Sequence, residues 1–338
     1  MSTVLLRNIC LAIFLSACSS TAHRATSRTA ENNSTDSTRQ GPVLSIVNQP
    51  TIDPGDSLAG KQPMNLLQLP QTEEGEIVLA DGFYEADFKS YCLQPGSPSP
   101  SYRDAYLQAP LQGYRKDIIA TVLQNSWKKT YLQQRNIQLL LWSVVSGSNF
   151  NRLSPEVKYT ARELLSPHQL FELKGGVMGV VRTISAVLPE NTLPDSYKSM
   201  QKLFEAGTTS YEAFERIAVQ RQLSQITNPA LKTDQWYKQP GGYYVRYFPS
   251  GYQQVKIQVY VPAGGSDTSK ESGHYLLFNP VTMMAVPANS NAQRLGIGAP
   301  MLDAIIKIIH ITKGTSNPKT QPVIINPKNA KTLPEGKK

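Results

Sequence analysis

The sequence predicts an α+β fold in which a helical subdomain is followed by a smaller antiparallel β region. Apolar residues recur with helical spacing between positions 113 and 220, whereas they alternate with polar residues after Asn228. Both ends of the chain are poor in large apolar residues, which predicts a disordered N-terminal tether and a disordered basic tail. We therefore expect a mainly helical domain at 81–228, an antiparallel β region at 229–311 and the tail at 312–338.

The first 18 residues have the pattern of a secretory leader that ends in a cysteine. Arg7 precedes an apolar run at 9–15 that is too short to cross a bilayer as a mature helix. The run closes with Leu15-Ser16-Ala17-Cys18, which resembles the signal motif of bacterial lipoproteins. The resemblance implies removal of a signal peptide at 1–17 and attachment of acyl chains such as palmitate at Cys18, which would anchor the protein stably in a membrane. Ser19, in place of Asp, favours the outer membrane.

The residues between Cys18 and position 80 have the composition of a tether. Up to about Pro42 they include almost no large apolar side chain, so they cannot bury enough surface to offset the entropy of ordering. Residues 43–80 are rich in Pro, Gln and Thr, which is typical of an extended linker or an edge segment. We expect ordered structure to begin near Asp81.

Four sequence features mark helices in the predicted helical region: two apolar patterns and two capped helix starts. An apolar face at 118–123 predicts a helix that ends near Trp127. The run 137–145 is apolar on nearly every side, which predicts a helix buried all round at the centre of the core. Ser154-Pro155 and Ser166-Pro167 each place a hydroxyl cap before a proline, so a helix should begin at each. Further helices are expected at 194–206 and 210–222.

The β region contains two predicted strand pairs. Residues 243–248 and 254–261 alternate about a turn, and 275–278 and 283–286 are predicted to pair through Asn279-Pro280. The apolar element at 301–311 fits a strand or a helix equally well. The tail has six lysines and one acid, Glu335, and is read as solubilising, with anionic lipid or polymer as the alternative contact.

Several kinds of chemistry lack support in the sequence. The four histidines are far apart and no paired metal-ligand spacing exists, so no metal and no cofactor are predicted. The glycines at 175–179 follow a helix rather than a strand, which is typical of a helix end and not of a phosphate loop. Ser126 and Lys129 have the Ser-x-x-Lys spacing of penicillin-binding enzymes, but the later motifs of those enzymes are missing. An envelope hydrolase is therefore the third choice.

The charge indicates attraction to anionic surfaces without naming a partner. The 338 residues include 34 Lys and Arg against 25 Asp and Glu, a formal charge of +9. Nucleic acid is not expected as a partner, because the envelope address separates the chain from most of it and no basic-aromatic recognition motif is present.

One cysteine has no assigned role. Cys10 lies in the leader and Cys18 would carry lipid, which leaves Cys92 as a lone thiol in an oxidising compartment. Gln138 and Trp142 share one face of the predicted core helix, so the amide of Gln138 is expected to be buried and to need partners. Gln258 is flanked by apolar residues in a predicted strand.

Together, Tyr91-Cys92, the Gln138 to Trp142 helix and Ile257-Gln258-Val259 resemble motifs in the thioester domains of bacterial surface adhesins. The resemblance covers residues 83–262 and implies that Cys92 and Gln258 condense, with loss of ammonia, into an internal thioester that acylates amines. Gln138 and Trp142 would support this site. The chain departs from the family pattern at Asn136 and Leu141. The residues alone also allow Cys92 to be a small buried hydrophobe and Gln258 to point outward.

The sequence therefore favours a non-enzymatic outer-membrane lipoprotein that binds or scaffolds other envelope components, its partner being an envelope protein or polymer. The alternative function is covalent adhesion through the thioester. Aromatic residues of the β region are the predicted binding surface, unless these rings simply pack the sheet: Tyr243, Tyr244, Tyr247, Phe248 and Tyr252.

Overall fold

The computed structural model describes most of the chain after position 58. The described residues are 51–52, 58, 60–73, 75–113, 115–175, 193–263, 276–301, 307–309 and 324–325. The leader, Cys18, the first part of the predicted tether and nearly all of the basic tail lie outside them, as does most of the element predicted at 301–311.

The described residues form six α-helices, all between positions 116 and 218. Ser154 and Ser166 cap the third and fourth helices by accepting hydrogen bonds from the amides of Val157 and Gln169, as the Ser-Pro pairs predict. The helices are α1 Lys116–Ser126, α2 Gln134–Ser146, α3 Pro155–Leu164, α4 Pro167–Leu173, α5 Asp195–Glu205 and α6 Tyr211–Ala218.

Along the chain, the strands both precede and follow these helices. They are β1 Thr51–Ile52, β2 Met64–Asn65, β3 Pro70–Gln71, β4 Ile77–Leu79, β5 Gly82–Cys92, β6 Ser97–Pro98, β7 Tyr106–Pro110, β8 Val219–Gln220, β9 Trp236–Lys238, β10 Tyr244–Ser250, β11 Gln254–Val261, β12 Leu276–Phe278, β13 Met283–Pro287, β14 Leu295–Pro300, β15 Lys307–Ile309 and β16 Ile324–Ile325. The main sheet has the order β1-β9-β10-β11-β5-β14-β13-β7, with β2 also paired to β5. A second sheet has the order β12-β4-β3-β15-β16, and β6 pairs with β8 alone.

The predicted fold class is wrong, because a nearly closed, barrel-like antiparallel sheet dominates the core. Its central strand, β5, precedes all the helices, and its neighbours β11 and β14 follow them. Along β5, Tyr84, Ala86 and Phe88 are buried while the residues between them are half-buried, which is the two-residue period of a strand. Helices are therefore inserted into one sheet and do not form a preceding subdomain.

Two local predictions also need correction. Ordered structure begins before Asp81, since β2, β3 and β4 lie within the predicted linker and Leu66 and Ile77 are fully buried there. Residues 276–278 and 283–287 are both strands, but they do not pair with each other. Strand β12 pairs with β4, whereas β13 pairs with β14 and β7.

Helix α2 lies at the centre of the core, as its uniform apolar pattern predicts. Leu140, Leu141, Trp142 and Val145 are completely buried. The helix packs against α3 and α5 on one side and contacts β5 on the other. Its first half therefore reaches the carboxyl end of β5, where the candidate site lies.

Among the described residues, no helix combines the length and the apolar character needed to span a bilayer.

Candidate functional site

The carboxyl end of β5 is buried and, on the side of β11, extends beyond the last paired residue of that strand. Strand β11 pairs with β5 as far as Lys89, which lies opposite Gln254. One residue further along β5, the Ser90 amide donates to the Gln253 carbonyl at 2.9 Å. Cys92 points its backbone N–H and C=O toward the same edge as Ser90, since hydrogen-bonding directions alternate along a strand. Strand β11 no longer reaches that point, so these two groups need other partners.

Gln138 of α2 supplies the missing partners. Its Oε1 accepts from the Cys92 amide at 2.8 Å, and its Nε2 donates to the Cys92 carbonyl at 2.9 Å. The side-chain amide thus replaces a peptide unit of the absent strand. One helical turn earlier, Gln134 donates to the carbonyls of Ser90 and Gln253. The amide of Gln138 is buried, as its helix position predicts, and it holds the backbone of the candidate cysteine.

The thiol of Cys92 lies in a dry pocket. The residue is completely buried, and burial raises the pKa of the thiol to about 12. The Trp142 side chain and the Gln94 backbone N–H, which face the sulfur, lower this pKa in part. The Trp142 indole N–H makes no hydrogen bond of regular geometry among the described residues. At neutral pH the thiol is therefore protonated and shielded from solvent.

A second glutamine, Gln293, lies in the segment that faces the carboxyl end of β5. Leu295 of β14 is the cross-strand partner of Cys92, and the Leu93 amide donates to the Arg294 carbonyl at 2.9 Å. Gln293 precedes Leu295 by two residues and is completely buried, as are Cys92 and Leu93. Diagonal cross-strand neighbours have Cβ atoms within about 7–8 Å of each other, which is within reach of a long side chain.

Two residues connect the surroundings of the sulfur with the Gln293 segment. The Gln94 N–H faces the sulfur, and Leu93, the residue before it, bonds to Arg294, the residue after Gln293. The Tyr106 hydroxyl donates to the Gln293 backbone carbonyl at 2.8 Å, and the Cys92 thiol is among the groups that raise the pKa of Tyr106 after burial. Tyr106 therefore binds the Gln293 backbone and lies in the neighbourhood of Cys92.

The amide nitrogen of the Gln293 side chain is hydrogen-bonded, whereas its amide oxygen is not, within the described part of the chain. Its Nε2 donates to the Ala218 carbonyl at 2.8 Å and to the Ser97 carbonyl at 3.1 Å. Its Oε1 is buried and has no hydrogen-bond partner among the described residues. Leaving a buried acceptor unpaired costs about 1–3 kcal/mol, so this oxygen needs a functional or structural reason. The sequence signal that could have found Gln293 is its place just before the apolar strand 295–299.

The predicted pairing of Cys92 with Gln258 is wrong in this geometry. Gln258 is the cross-strand partner of Glu85, seven residues before Cys92, which is about 23 Å along an extended strand. Its Oε1 accepts from Arg246 at 2.7 Å and its Nε2 donates to Glu85 at 2.8 Å. The two neighbours Ile257 and Val259 are buried, so Gln258 occupies the outer face, as the alternative reading of this residue holds.

The predicted aromatic binding surface is also wrong as a set. Tyr243, Tyr247 and Tyr252 are buried, and only Tyr244 and Phe248 are half-buried. The hydroxyls of the first two bind the buried Gln108 amide: Gln108 donates to Tyr243, and Tyr247 donates to Gln108, both at 2.9 Å. These rings pack the sheet because β10 curls toward β7 and directs them inward.

Ser126 and Lys129 do not form a catalytic pair. The Ser126 hydroxyl donates to the Leu123 carbonyl at 2.6 Å, and the Lys129 ammonium pairs with Glu163 at 2.6 Å. Each of the two side chains therefore has a structural partner other than the other member of the pair.

Helix α6 covers the pocket and is held at both ends. At its first residue, Tyr211 stacks on Trp142 with ring centroids 5.6 Å apart and shares a 2.8 Å hydrogen bond with the Tyr252 hydroxyl. Tyr252 also donates to Glu215 one turn later. At its last residue, the Ala218 carbonyl accepts from Gln293.

Buried tyrosine side chains lower the free energy of unfolding at alkaline pH, and Tyr91 gives the clearest case. Burial raises the pKa of Tyr91, so its folded form keeps the proton while the unfolded form loses it near pH 10. The folded state then binds more protons, and the free energy of unfolding falls as pH rises above about 9. The Tyr91 hydroxyl is buried without a partner among the described residues, so Tyr91→Phe should stabilise the protein by about 1 kcal/mol and flatten this decline.

Urea unfolding between pH 7 and 11 checks this expectation. Tyr102, which is 86% exposed, is the control, because Tyr102→Phe should leave both the stability and its pH dependence unchanged. Equal effects of the two substitutions would show that burial of Tyr91 does not cause the alkaline loss.

The sequence matches no protein-family model, and comparison with curated proteins and with solved structures finds no significant match. Within the described ranges, no group of three or more His, Cys, Asp or Glu side chains is placed to hold a metal ion.

Proposed function

We propose that this protein is a lipid-anchored envelope protein that attaches covalently to amines through an internal thioester between Cys92 and Gln293. The observation that carries the proposal is the Gln293 side chain, a completely buried amide with an unpartnered Oε1 in the segment that bonds to the Cys92 end of β5. Gln293 takes the role that the motif resemblance assigned to Gln258. The envelope anchor at Cys18 rests on the Leu15-Ser16-Ala17-Cys18 motif.

Thioester formation is a balanced exchange between the two side chains. The Cys92 sulfur attacks Cδ of Gln293, and a C–S bond forms as the C–N bond breaks. The thiol proton passes to Nε2, which leaves as ammonia. Since burial holds the thiol pKa near 12, a free thiolate is costly in this pocket, and the proton is expected to move together with the attack.

The surroundings of Cys92 and Gln293 suit a thioester that is kept from water better than they suit a nucleophile exposed to solvent. Cys92, Trp142 and Gln293 are all essentially inaccessible to solvent, which would slow hydrolysis of the bond. The Gln138 amide fixes the Cys92 backbone, and the Ser97 and Ala218 carbonyls fix the Gln293 amide. An amine that later attacks Cδ would release the thiol and leave a stable amide bond.

Intact mass of the chain from residue 19 onward tests the proposal. The wild type should be about 17 Da lighter than its sequence mass, the loss of one ammonia that an internal thioester requires. Cys92→Ala and Gln293→Ala should each abolish that loss relative to the variant's own mass. Gln258→Ala is the matched glutamine control and should retain it.

A measured mass equal to the sequence mass, together with alkylation of Cys92 in the unfolded chain, would contradict the thioester. The lipoprotein would then act by noncovalent binding or scaffolding, with Cys92 as a packed core residue. The anchor is tested separately: Cys18→Ser should prevent palmitate labelling and membrane retention, and unchanged retention would contradict the envelope address.

A further inference from the structure

The two carbonyl groups that hold Gln293 Nε2 change their role once ammonia has left. This step rests on the proposed thioester. In the amide form, Ser97 and Ala218 accept the two N–H groups of Gln293 at 3.1 and 2.8 Å. In the thioester form the nitrogen is absent, so both oxygens lose this donor, although Ala218 keeps its bond from the Gly96 amide. A carbonyl oxygen has two lone pairs, so each oxygen regains the acceptor position that Nε2 had filled.

The two oxygens are held in place by backbone pairing. Ser97 of β6 pairs with Val219 of β8, and the Gly96 amide donates to the Ala218 carbonyl at 2.8 Å. The Gln220 side chain closes the same junction by donating from Nε2 to the Gly96 carbonyl at 2.6 Å. Ala218 also ends α6, where the helix dipole places partial negative charge on the carbonyl oxygens.

We infer that the Ser97 and Ala218 carbonyl oxygens bind the nitrogen of the attacking nucleophile and select primary amines over alcohols and secondary amines. A primary amine that adds to Cδ carries two N–H groups and a developing positive charge. Both hydrogens can meet the two oxygens from the position that Nε2 held. An alcohol oxygen or a secondary amine nitrogen has one hydrogen in its neutral form, so one of the two carbonyls does not regain the donor that Nε2 supplied.

A surface depression lies beside β8. It measures about 650 Å³ and is lined by Arg216, Val219, Gln220, Arg221 and Gln222. Ser97 and Val219, which pair across the β6–β8 junction, are half-buried. A small amine in this depression therefore lies next to the junction that holds the two carbonyl groups.

Competition among small nucleophiles tests the inference. The thioester form, verified by its ammonia loss, is exposed to methylamine, dimethylamine or ethanol, and the adducts are quantified by intact mass. Each rate is divided by the rate of a small alkyl thioester in the same buffer. The protein should favour methylamine over each of the others by about tenfold beyond that reference, the effect of one buried hydrogen bond left unmade.

Gln220→Ala should lower the preference for methylamine over dimethylamine and ethanol toward the preference of the small thioester. The substitution removes the bond to Gly96 and so loosens the β6–β8 junction that aligns the two carbonyls. Gln222→Ala is the control: it lines the same depression, and its amide contacts Gln220 rather than β6. A wild-type ratio equal to the reference, or an unchanged ratio in Gln220→Ala, would overturn the inference while the thioester stands. Absence of the ammonia loss would overturn both.

Discussion

Replacement of Gln138 by leucine is expected to lower the free energy of unfolding by about 2–6 kcal/mol, since each buried backbone group left unpaired costs about 1–3 kcal/mol. The two groups are the N–H and C=O of Cys92, which bind the Gln138 amide at 2.8 and 2.9 Å. Leucine fills a similar volume but neither donates nor accepts. Urea unfolding, followed by circular dichroism, measures the difference.

Gln134→Leu provides the comparison on the same face of α2. Gln134 is half-buried, and its amide donates to the exposed Gln253 at 2.7 Å and to the buried Ser90 at a longer 3.2 Å. Water can replace the bond to Gln253, and the bond to Ser90 is long, so we expect a cost below about 1.5 kcal/mol. Similar costs for the two substitutions would show that Gln138 does not act as a substitute strand, and would weaken its assigned role at the site.

Replacement of Trp142 by alanine is expected to destabilise the protein by about 3–5 kcal/mol, the usual cost of removing a fully buried large aromatic side chain. The indole is completely buried, and it stacks on Tyr211 and contacts Tyr252 at a centroid distance of 6.4 Å. It also faces the Cys92 sulfur. The cavity would therefore open beside the thiol, and any thioester in this variant should hydrolyse faster than in the wild type.

Trp142→Phe separates ring packing from the indole N–H. Because that N–H makes no regular hydrogen bond among the described residues, phenylalanine should cost only the lost volume, about 1–2 kcal/mol. Urea unfolding gives the stability, and the growth of the hydrolysed mass over time gives the thioester lifetime. A cost as large as that of Trp142→Ala would mean that the indole N–H contributes an interaction with the thiol that the static geometry understates.

Helices could be located from sequence because their signals are local. The Ser154 and Ser166 caps bind amides three residues away, and the all-round apolar run of α2 reports its burial directly. Even the burial of the Gln138 amide follows from its spacing to Trp142. Its partner does not, because Cys92 lies 46 residues away in another element.

The arrangement of the sheet does not follow from local pattern, because strand pairing is long-range. Tyr84, Ala86 and Phe88 alternate with charged residues, a pattern that marks β5 as a strand but says nothing about its neighbours. Those neighbours are β11 and β14, which lie beyond the helices in the chain. Local pattern alone therefore predicts a separate helical subdomain, which the strand pairing overturns.

The choice between the two glutamines shows the same limit of local pattern. Gln258 has the expected apolar flanks, yet the register of β11 places it opposite Glu85. Gln293 has a weaker local pattern, but it immediately precedes Arg294, whose carbonyl accepts from the amide of Leu93, next to Cys92. A shift of one residue in register would reverse the face of either side chain.

By itself, the amino-acid sequence determined the leader motif that predicts the anchor, the capped helices, the buried core helix and Cys92 as the unassigned thiol. Each of these depends on residues within a few positions of one another. Only the tertiary structure decided that one sheet unites both halves of the chain and that the segment of Gln293, rather than that of Gln258, lies next to the Cys92 end of β5. Those outcomes depend on strand register across about 200 residues, which is selected by the burial of the whole core and not by any short segment.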